Sequence, residues 1–95
     1  MAQPFHVYIL ICAGGAYYTG HTDDLDRRLA EHQEGGGCVF TASRRPVQLV
    51  WSTECDTRDD AFDLEMRLKR WSRVKKQALI RGDYAALPGL ARKRW

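Results

Sequence analysis

Long apolar runs and cysteine pairs with metal-binding spacing are both missing from this sequence. The apolar run at 7–13 is far shorter than the roughly 20 residues that a membrane-spanning helix needs. No Lys or Arg precedes it, which does not match a secretory signal. Cys12, Cys38 and Cys55 are odd in number and lack C-x-x-C spacing, which predicts free thiols in a reducing compartment. We therefore expect a cytoplasmic protein without membrane contact, zinc site or disulfide framework.

No internal repeat, low-complexity segment or linker divides the chain. Its 95 residues are enough for one domain with a modest core. Hydrophobic residues make up 44% and charged residues 28%, as in ordinary globular proteins. We predict a single domain over 1–95, with its core at about 5–82 and a loosely held basic tail at 83–95.

Acidic residues become scarce after residue 66. Residues 1–66 contain eleven acids and five bases, a net of −6, whereas 67–95 contain ten bases and one acid, a net of +9; together they give +3. Such a concentration of positive charge attracts polyanions through phosphate contacts and counterion release. A solvated helix face without a partner explains the charge equally well. Six of the bases fall within ten positions: Arg67, Lys69, Arg70, Arg73, Lys75 and Lys76.

The pattern of apolar residues and turn signals predicts the order β-β-α-β-α-α. Ala13-Gly14-Gly15 predicts a hairpin turn, Thr22 and Thr57 predict helix caps, and Pro46 opens the third strand. Strands are predicted at 5–12, 16–21 and 47–54, and helices at about 23–34, 58–72 and 75–81, with a loop of about nine residues before the third strand. The predicted fold class is α/β of the α+β type, with helices packed on a small antiparallel sheet.

Three polar residues fall on helix stripes that should face the core. Arg28 and His32 share a face with Leu25 and Leu29 on the first long helix, at about 100° per residue. On the second, Glu65 lies within an apolar stripe formed by Ala61, Leu64, Leu68 and Trp71. A core-facing carboxylate is costly unless it is paired or coordinates a metal. A buried Glu65–Arg28 ion pair and a stripe edge that reaches water remain alternatives to a functional site.

Tyr8 and Tyr18 are predicted to share one face of the hairpin. Alternate residues of a strand point the same way, and a three-residue loop places Cys12 opposite Ala16. A two-residue loop would shift the register and put the two tyrosines on opposite faces. Tyrosines in strands usually serve packing, which remains the alternative here.

These residues belong to a pattern. His6-Val7-Tyr8, then Tyr18-Thr19-Gly20, then Arg28 resemble the GIY-YIG nuclease superfamily. The segments TDDLDRRLAEH (22–32), RRPVQLVW (44–51), EMRLKRW (65–71) and KKQALI (75–80) extend the similarity to the small single-domain bacterial, UPF0213-like branch, over about 5–82. Two positions depart from the family pattern: His6 replaces the first signature glycine, and His21 stands where some relatives have lysine.

The resemblance implies a three-stranded antiparallel sheet with the first strand in its centre. It also implies hydrolysis of phosphodiester bonds with one divalent cation, Mg²⁺ or Mn²⁺. By position, Tyr8 and Tyr18 match the signature tyrosines, Arg28 the arginine of the first helix, and His32 a histidine or tyrosine of relatives. Glu65 matches the single metal-binding carboxylate. The expected partner is nucleic acid, DNA rather than RNA, in repair or processing.

The residue types suit this chemistry. Arg28 is permanently charged and can bind a phosphate with two donors. Tyr8 can act as a general base only if its pKa is lowered, and His32 can receive its proton, while Tyr18 orients the water or the phosphate. The identity of the base stays open at this point.

Phosphate contacts outside the catalytic residues are expected from eight further side chains. They are His21, Arg44, Arg45, Lys69, Arg70, Arg73, Lys75 and Lys76. Two other functions remain open. A nucleic-acid-binding module would use the same surface without turnover, and an interaction protein would bind an acidic partner through its basic helix. The interaction protein leaves the polar residues on the inner stripes unexplained.

Overall fold

The computed structural model describes residues 4–83. Its strands form one antiparallel sheet in the order β2-β1-β3, so the first strand is central. The elements are β1 Phe5–Cys12, β2 Tyr17–Thr22, α1 Leu25–Glu34, α2 Val39–Ala42, β3 Val47–Cys55, α3 Arg58–Lys69 and α4 Arg73–Arg81. The predicted fold class and the central position of the first strand are confirmed. Except for Asp83, the predicted basic tail lies outside the described residues.

The hairpin register places both signature tyrosines on one face. Tyr8 pairs with Gly20 and Leu10 with Tyr18, and the backbone N–H of Cys12 donates to the carbonyl of Ala16 at 2.8 Å. The three-residue loop therefore sets the predicted register.

Helices cover both faces of the sheet. On one face, Tyr8 and Leu10 lie in a buried cluster to which Leu25 and Leu29 of α1 contribute. On the other face, Val7 and Ile9 pack against the apolar side of α3 and α4. The shift of one residue along a strand thus changes which helix a side chain meets.

Local sequence signals account for most helix ends, with five corrections to the predicted elements. Asp24, rather than Thr22, caps α1, because its carboxylate accepts from the N–H of Arg27. Thr57 caps α3 as predicted. However, α3 ends at Lys69 instead of about Ser72, because the Ser72 hydroxyl caps α4, which therefore begins at Arg73 instead of Lys75. The predicted loop before β3 contains the short helix α2. The second strand is shifted by one residue, to 17–22.

Within residues 4–83, none of the helices has the length and apolar character required to cross a membrane.

Candidate active site

A buried hydrogen-bond chain starts at the first signature tyrosine. The hydroxyl of Tyr8 is 2.8 Å from Nε2 of His32, and Nδ1 of His32 is 2.8 Å from Oγ1 of Thr41. All three side chains are almost completely excluded from solvent. The chain is complete if the phenol donates to Nε2, Nδ1–H donates to Thr41, and Thr41 donates to the carbonyl of Cys38 at 3.4 Å. In this arrangement His32 is neutral and its Nε2 accepts the hydrogen bond from the phenol.

The second signature tyrosine packs beside this pair. The ring of Tyr18 lies 6.3 Å from that of Tyr8 and 5.2 Å from the imidazole of His32, measured between centroids. On its other side, the ring of Phe40 on α2 is 5.9 Å away. The two tyrosines and His32 therefore form one aromatic cluster between β1, β2 and α1.

Two glycines make this cluster possible. A Cβ at Gly20 would lie 2.6 Å from the hydroxyl oxygen of Tyr8 and 3.1 Å from Cε2 of Tyr18. A Cβ at Gly37 would collide with the ring of His32. Contacts under 3.0 Å force an atom to move, so both positions require glycine for close approach. Gly20 is the final residue of the second signature tripeptide, which explains physically why a glycine stands there.

The guanidinium of Arg28 is a fixed positive charge at the edge of the cluster. One terminal nitrogen donates to Glu31 at 3.1 Å and the other to the carbonyl of Gly37 at 2.8 Å. Burial lowers the pKa of Arg28, but hydrogen bonds with Tyr8 and Glu31 outweigh it and raise the pKa overall. The guanidinium has five N–H donors, so donors remain for a ligand.

The two phenols are held in their neutral form. Burial raises the pKa of Tyr8, opposed by the neighbouring Arg28 guanidinium. Burial also raises the pKa of Tyr18, with further contributions from Cys38 and Tyr8. The negative charge of Glu65 adds to the rise at both tyrosines, so this carboxylate lies within electrostatic reach of both phenols.

The imidazole of His32 is also kept neutral. Burial lowers its pKa, and the charge of Arg28 lowers it further. A neutral imidazole at physiological pH is the form that can accept a proton.

Glu65 reaches the edge strand β2 from the side of α3. Its Oε1 is 2.6 Å from Nδ1 of His21, and its Oε2 is 2.7 Å from Nζ of Lys69. The residue is 7% exposed. The alternative that paired Glu65 with Arg28 is wrong, because Arg28 binds Glu31 and the Gly37 carbonyl instead. The core-facing carboxylate is thus paired, but with two side chains that partly reach solvent.

Glu65 offers a single carboxylate to a hard cation, and Nδ1 of His21 and Nζ of Lys69 contact its two oxygens. Residues 4–83 contain no cluster of three His, Cys, Asp or Glu side chains suited to a metal. A soft or fully protein-coordinated metal therefore has no site among the described residues. Mg²⁺ commonly takes one or two carboxylates and completes its coordination with waters and phosphate oxygens.

The basic side chains expected to bind nucleic acid form two separate groups. Arg44 and Arg45 follow α2, on the α1 side of the sheet. The guanidinium of Arg44 lies 4.0 Å from the ring centroid of Phe40, and Arg45 donates to the carbonyls of Ala42 and Gln33.

The second group lies where α3 meets α4. Arg73 stacks on Tyr17 at 4.5 Å and Lys75 lies 5.0 Å from the ring of Trp71. Burial lowers the pKa of Lys76, and the neighbouring charges of Arg73 and Lys69 lower it further. Arg70 is the exposed C-cap of α3. His21 contacts Glu65 rather than presenting a free imidazole.

Sequence reasoning missed three contributors to the site. Thr41 orients His32, Phe40 stacks on Tyr18, and the Cys38 thiol lies beside both Thr41 and Tyr18. Burial raises the pKa of Cys38, but hydrogen bonds from Thr41 and Tyr18 lower it overall. The only sequence feature that these three residues share is their position in the segment 38–41, which the sequence pattern predicts as a loop.

The fold and this cluster define the class of the protein. Residues 4–78 match the GIY-YIG catalytic domain, and the chain belongs to the GIY-YIG family. Within that family it is similar to UPF0213 proteins. One from Halobacterium salinarum is 45% identical over 75 residues, covering 79% of this chain and 97% of the relative. One from Staphylococcus saprophyticus is 41% identical over 75 residues, covering 79% and 92%.

Solved structures show the same fold. The solution NMR structure of EF2693 from E. faecalis superposes with a TM-score of 0.59 at 32% identity, covering 86% of this chain and 88% of that one. The solution NMR structure of the UPF0213 protein BH0048 from Bacillus halodurans gives a TM-score of 0.53 at 39% identity, covering 81% and 82%.

Proposed function

We propose that this protein is a metal-dependent endonuclease that hydrolyses phosphodiester bonds in nucleic acid. The observation that carries the proposal is the hydrogen bond of 2.8 Å between Tyr8 and His32, beside the fixed charge of Arg28. A phosphodiester hydrolase needs a proton acceptor, a cation near the phosphate and a way to activate water.

Arg28 is the phosphate-binding residue in this proposal. Its contacts with Glu31 and Gly37 fix the guanidinium beside Tyr8 and leave other donors unused. A guanidinium fixed before the substrate arrives stabilises charge that develops in the transition state without reorganising.

Tyr8 and His32 form the proton path. The raised pKa of Tyr8 means that the phenol does not lose its proton unaided. His32 is neutral and accepts the phenolic proton through Nε2. Tyr8 takes a proton from the attacking water in the same step, because the raised pKa of Tyr8 and the lowered pKa of His32 oppose a separate phenolate–imidazolium pair. Tyr18 orients that water or the phosphate. This assigns His32 as the final proton acceptor and Tyr8 as the relay.

Glu65 is the residue that would hold the cation, Mg²⁺ or Mn²⁺. A bound divalent cation would polarise the phosphate and lower the pKa of water. Because both carboxylate oxygens contact His21 and Lys69, at least one of these contacts has to be released for a ligand to bind there. Lys69 is the more exposed of the two, and we assign it to leave first.

The basic group at the junction of α3 and α4 would bind the phosphate backbone outside the aromatic cluster of Tyr8, Tyr18 and His32. Lys69 links the two regions, since it pairs with Glu65 and its charge lowers the pKa of Lys76. We propose DNA as the substrate, rather than RNA, in repair or processing.

The proposal is tested with purified protein on labelled linear and branched DNA and RNA, with Mg²⁺, Mn²⁺ or EDTA. We expect metal-dependent cleavage by the wild type and none by Glu65→Gln. The Asp63→Asn variant removes the same charge from an exposed position of α3 and serves as the matched control. Binding without cleavage on every substrate would contradict the proposal and favour a binding module.

A further inference from the structure

We infer that Phe40 and Arg44 form a stacking platform for an unpaired nucleobase next to the scissile phosphate. The inference rests on the proposed nuclease function and specifies its substrate. The substrate would be DNA that carries single-stranded nucleotides at the cleavage position, such as a gap, a flap or a single strand.

The exposure of Phe40 is the first observation. The residue is 37% exposed and its neighbour Val39 is 89% exposed. Contiguous exposed apolar groups mark surfaces that meet a ligand. Here the exposed ring lies 5.9 Å from the ring of Tyr18, so it borders the catalytic cluster directly.

The second observation is the row of flat groups that Phe40 completes. The rings of Tyr18 and Phe40 are inclined by only 31°, and the guanidinium of Arg44 lies 4.0 Å above the Phe40 ring. Arg44 also donates to the carbonyl of Phe40 at 2.8 Å, which holds the guanidinium in place. Aromatic rings and arginine planes are the surfaces on which proteins stack unpaired bases.

The third observation concerns what positions α2. Thr41 follows Phe40 directly and is completely buried, with its hydroxyl 2.8 Å from Nδ1 of His32. The inner side of this short helix is therefore tied to the catalytic histidine while Phe40 faces outward. A platform held in this way keeps a fixed distance from Tyr8 and His32.

A base that stacks on Phe40 and Arg44 must be free of its pairing partner. In a continuous duplex the bases are covered by their neighbours and only the backbone and groove edges are accessible. The charge of Arg44 beside the ring favours a polyanion over an uncharged protein surface. A nucleotide matches both residues, because its base can stack on the Phe40 ring while its phosphate meets the charge of Arg44.

The test is binding in EDTA, where no cleavage occurs, to a short duplex, the same duplex with a single-stranded gap, and the single strand. We expect wild type to prefer the gapped and single-stranded forms. Phe40→Leu should weaken binding to these by about 5- to 150-fold, as for the loss of one base–aromatic stack, and leave duplex binding unchanged. Phe40→Tyr should retain the preference, and Val39→Ala, which removes a more exposed but non-aromatic side chain, should not alter it.

A second measurement does not depend on any variant folding. In NMR spectra of the wild type, ring protons of Phe40 should shift upfield when the single strand is added and not when the duplex is added. Equal losses on all substrates in Phe40→Leu, no loss at all, or no wild-type preference would overturn the inference. If this surface binds a protein instead, the wild type would show no preference among the three forms of DNA. Cleavage is scored separately, so a platform without turnover refutes the nuclease proposal alone, and turnover without Phe40 dependence refutes the platform alone.

Discussion

The hydroxyl of Tyr8 and Nε2 of His32 lie 2.8 Å apart in a region closed to solvent, although 24 residues separate them in the chain. Thr41 holds the opposite nitrogen of the imidazole, so the ring cannot turn without breaking a buried hydrogen bond. This arrangement directs the accepting nitrogen at the phenol before any substrate binds.

Tyr8→Phe tests the proton path. The variant keeps the ring but removes the hydroxyl, so we expect the single-turnover cleavage rate to fall by about 10²- to 10⁴-fold. Nε2 of His32 loses its partner, which should lower the free energy of unfolding by about 1–3 kcal/mol. Tyr17→Phe changes the tyrosine on the opposite face of the hairpin and should keep its rate. A Tyr8→Phe protein that cleaves at the wild-type rate would remove Tyr8 from the mechanism.

Gly20→Ala tests the close approach at the second signature tripeptide. The added methyl would lie 2.6 Å from the Tyr8 hydroxyl oxygen, so the tyrosine must move, and we expect its hydrogen bond to His32 to be weakened or lost. We expect a loss of about 1–3 kcal/mol in stability, typical of overpacking, measured by urea unfolding, together with a strong loss of cleavage. Gly36→Ala is the control, because the nearest atom to its new Cβ is 3.9 Å away. Equal behaviour of the two variants would contradict this account.

Glu65→Gln separates metal binding from a structural ion pair. Loss of one member of a fully buried pair costs about 3–5 kcal/mol. Its partners His21 and Lys69 are partly exposed, and exposed pairs contribute only about 0–1 kcal/mol each. Urea unfolding in EDTA should therefore show a loss below about 2 kcal/mol. A loss in the fully buried range would identify Glu65 as mainly structural, while Asp63→Asn sets the baseline.

The pKa of His32 sets an acid limit on stability. Burial and Arg28 hold this pKa below its ordinary value, which is about 6.5. Well above about pH 6.5 the imidazole is neutral in both states. As the pH falls below about 6.5, the unfolded chain binds the proton first, so stability is lost until the folded pKa is passed. Thermal unfolding at stepwise pH values should show this decline.

The same shift can be read directly by NMR. The titration midpoint of the His32 ring should lie below about 6.5. Arg28→Gln should raise the midpoint, because it removes the neighbouring charge, and Arg27→Gln, at an exposed position paired with Asp23, should not. A midpoint at or above the ordinary value would contradict the neutral imidazole.

Charge reversal at Lys75 and Lys76 tests the proposed binding of the phosphate backbone. Both lie in the group at the junction of α3 and α4, where Arg73 and Lys69 contribute further charge. We expect weaker binding on all sequences and a salt slope flattened by about 0.9 for each duplex phosphate that the variant no longer neutralises. Arg58→Glu, at the start of α3 beside Phe5, is the control. Unchanged affinity and slope would refute this role of the two lysines.

Most of the sheet and the long helices could be predicted because interactions between residues close in the sequence specify them. The alternation in β1, the three-residue turn and the cap at Thr57 act within a few residues. Helix α2 could not be predicted, since four residues carry too little periodicity and their stability depends on packing. The predicted boundary between α3 and α4 is wrong because Ser72 resembles a helix end in the sequence, whereas its hydroxyl caps the next helix.

The sequence by itself determined which residues are available at the site. The stripes of α1 and α3 already place Arg28, His32 and Glu65 toward the core, and the hairpin register brings Tyr8 and Tyr18 to one face. Only the tertiary structure decided which of these groups meet. Glu65 had several possible cationic partners in the sequence, and the position of α3 along β2 selects His21, while Lys69 follows one turn later on the same helix. Such choices depend on distances between elements, because hydrogen bonds and ion pairs weaken within a few ångströms. Residue patterns set the direction of a side chain, whereas packing sets the distance to its partner.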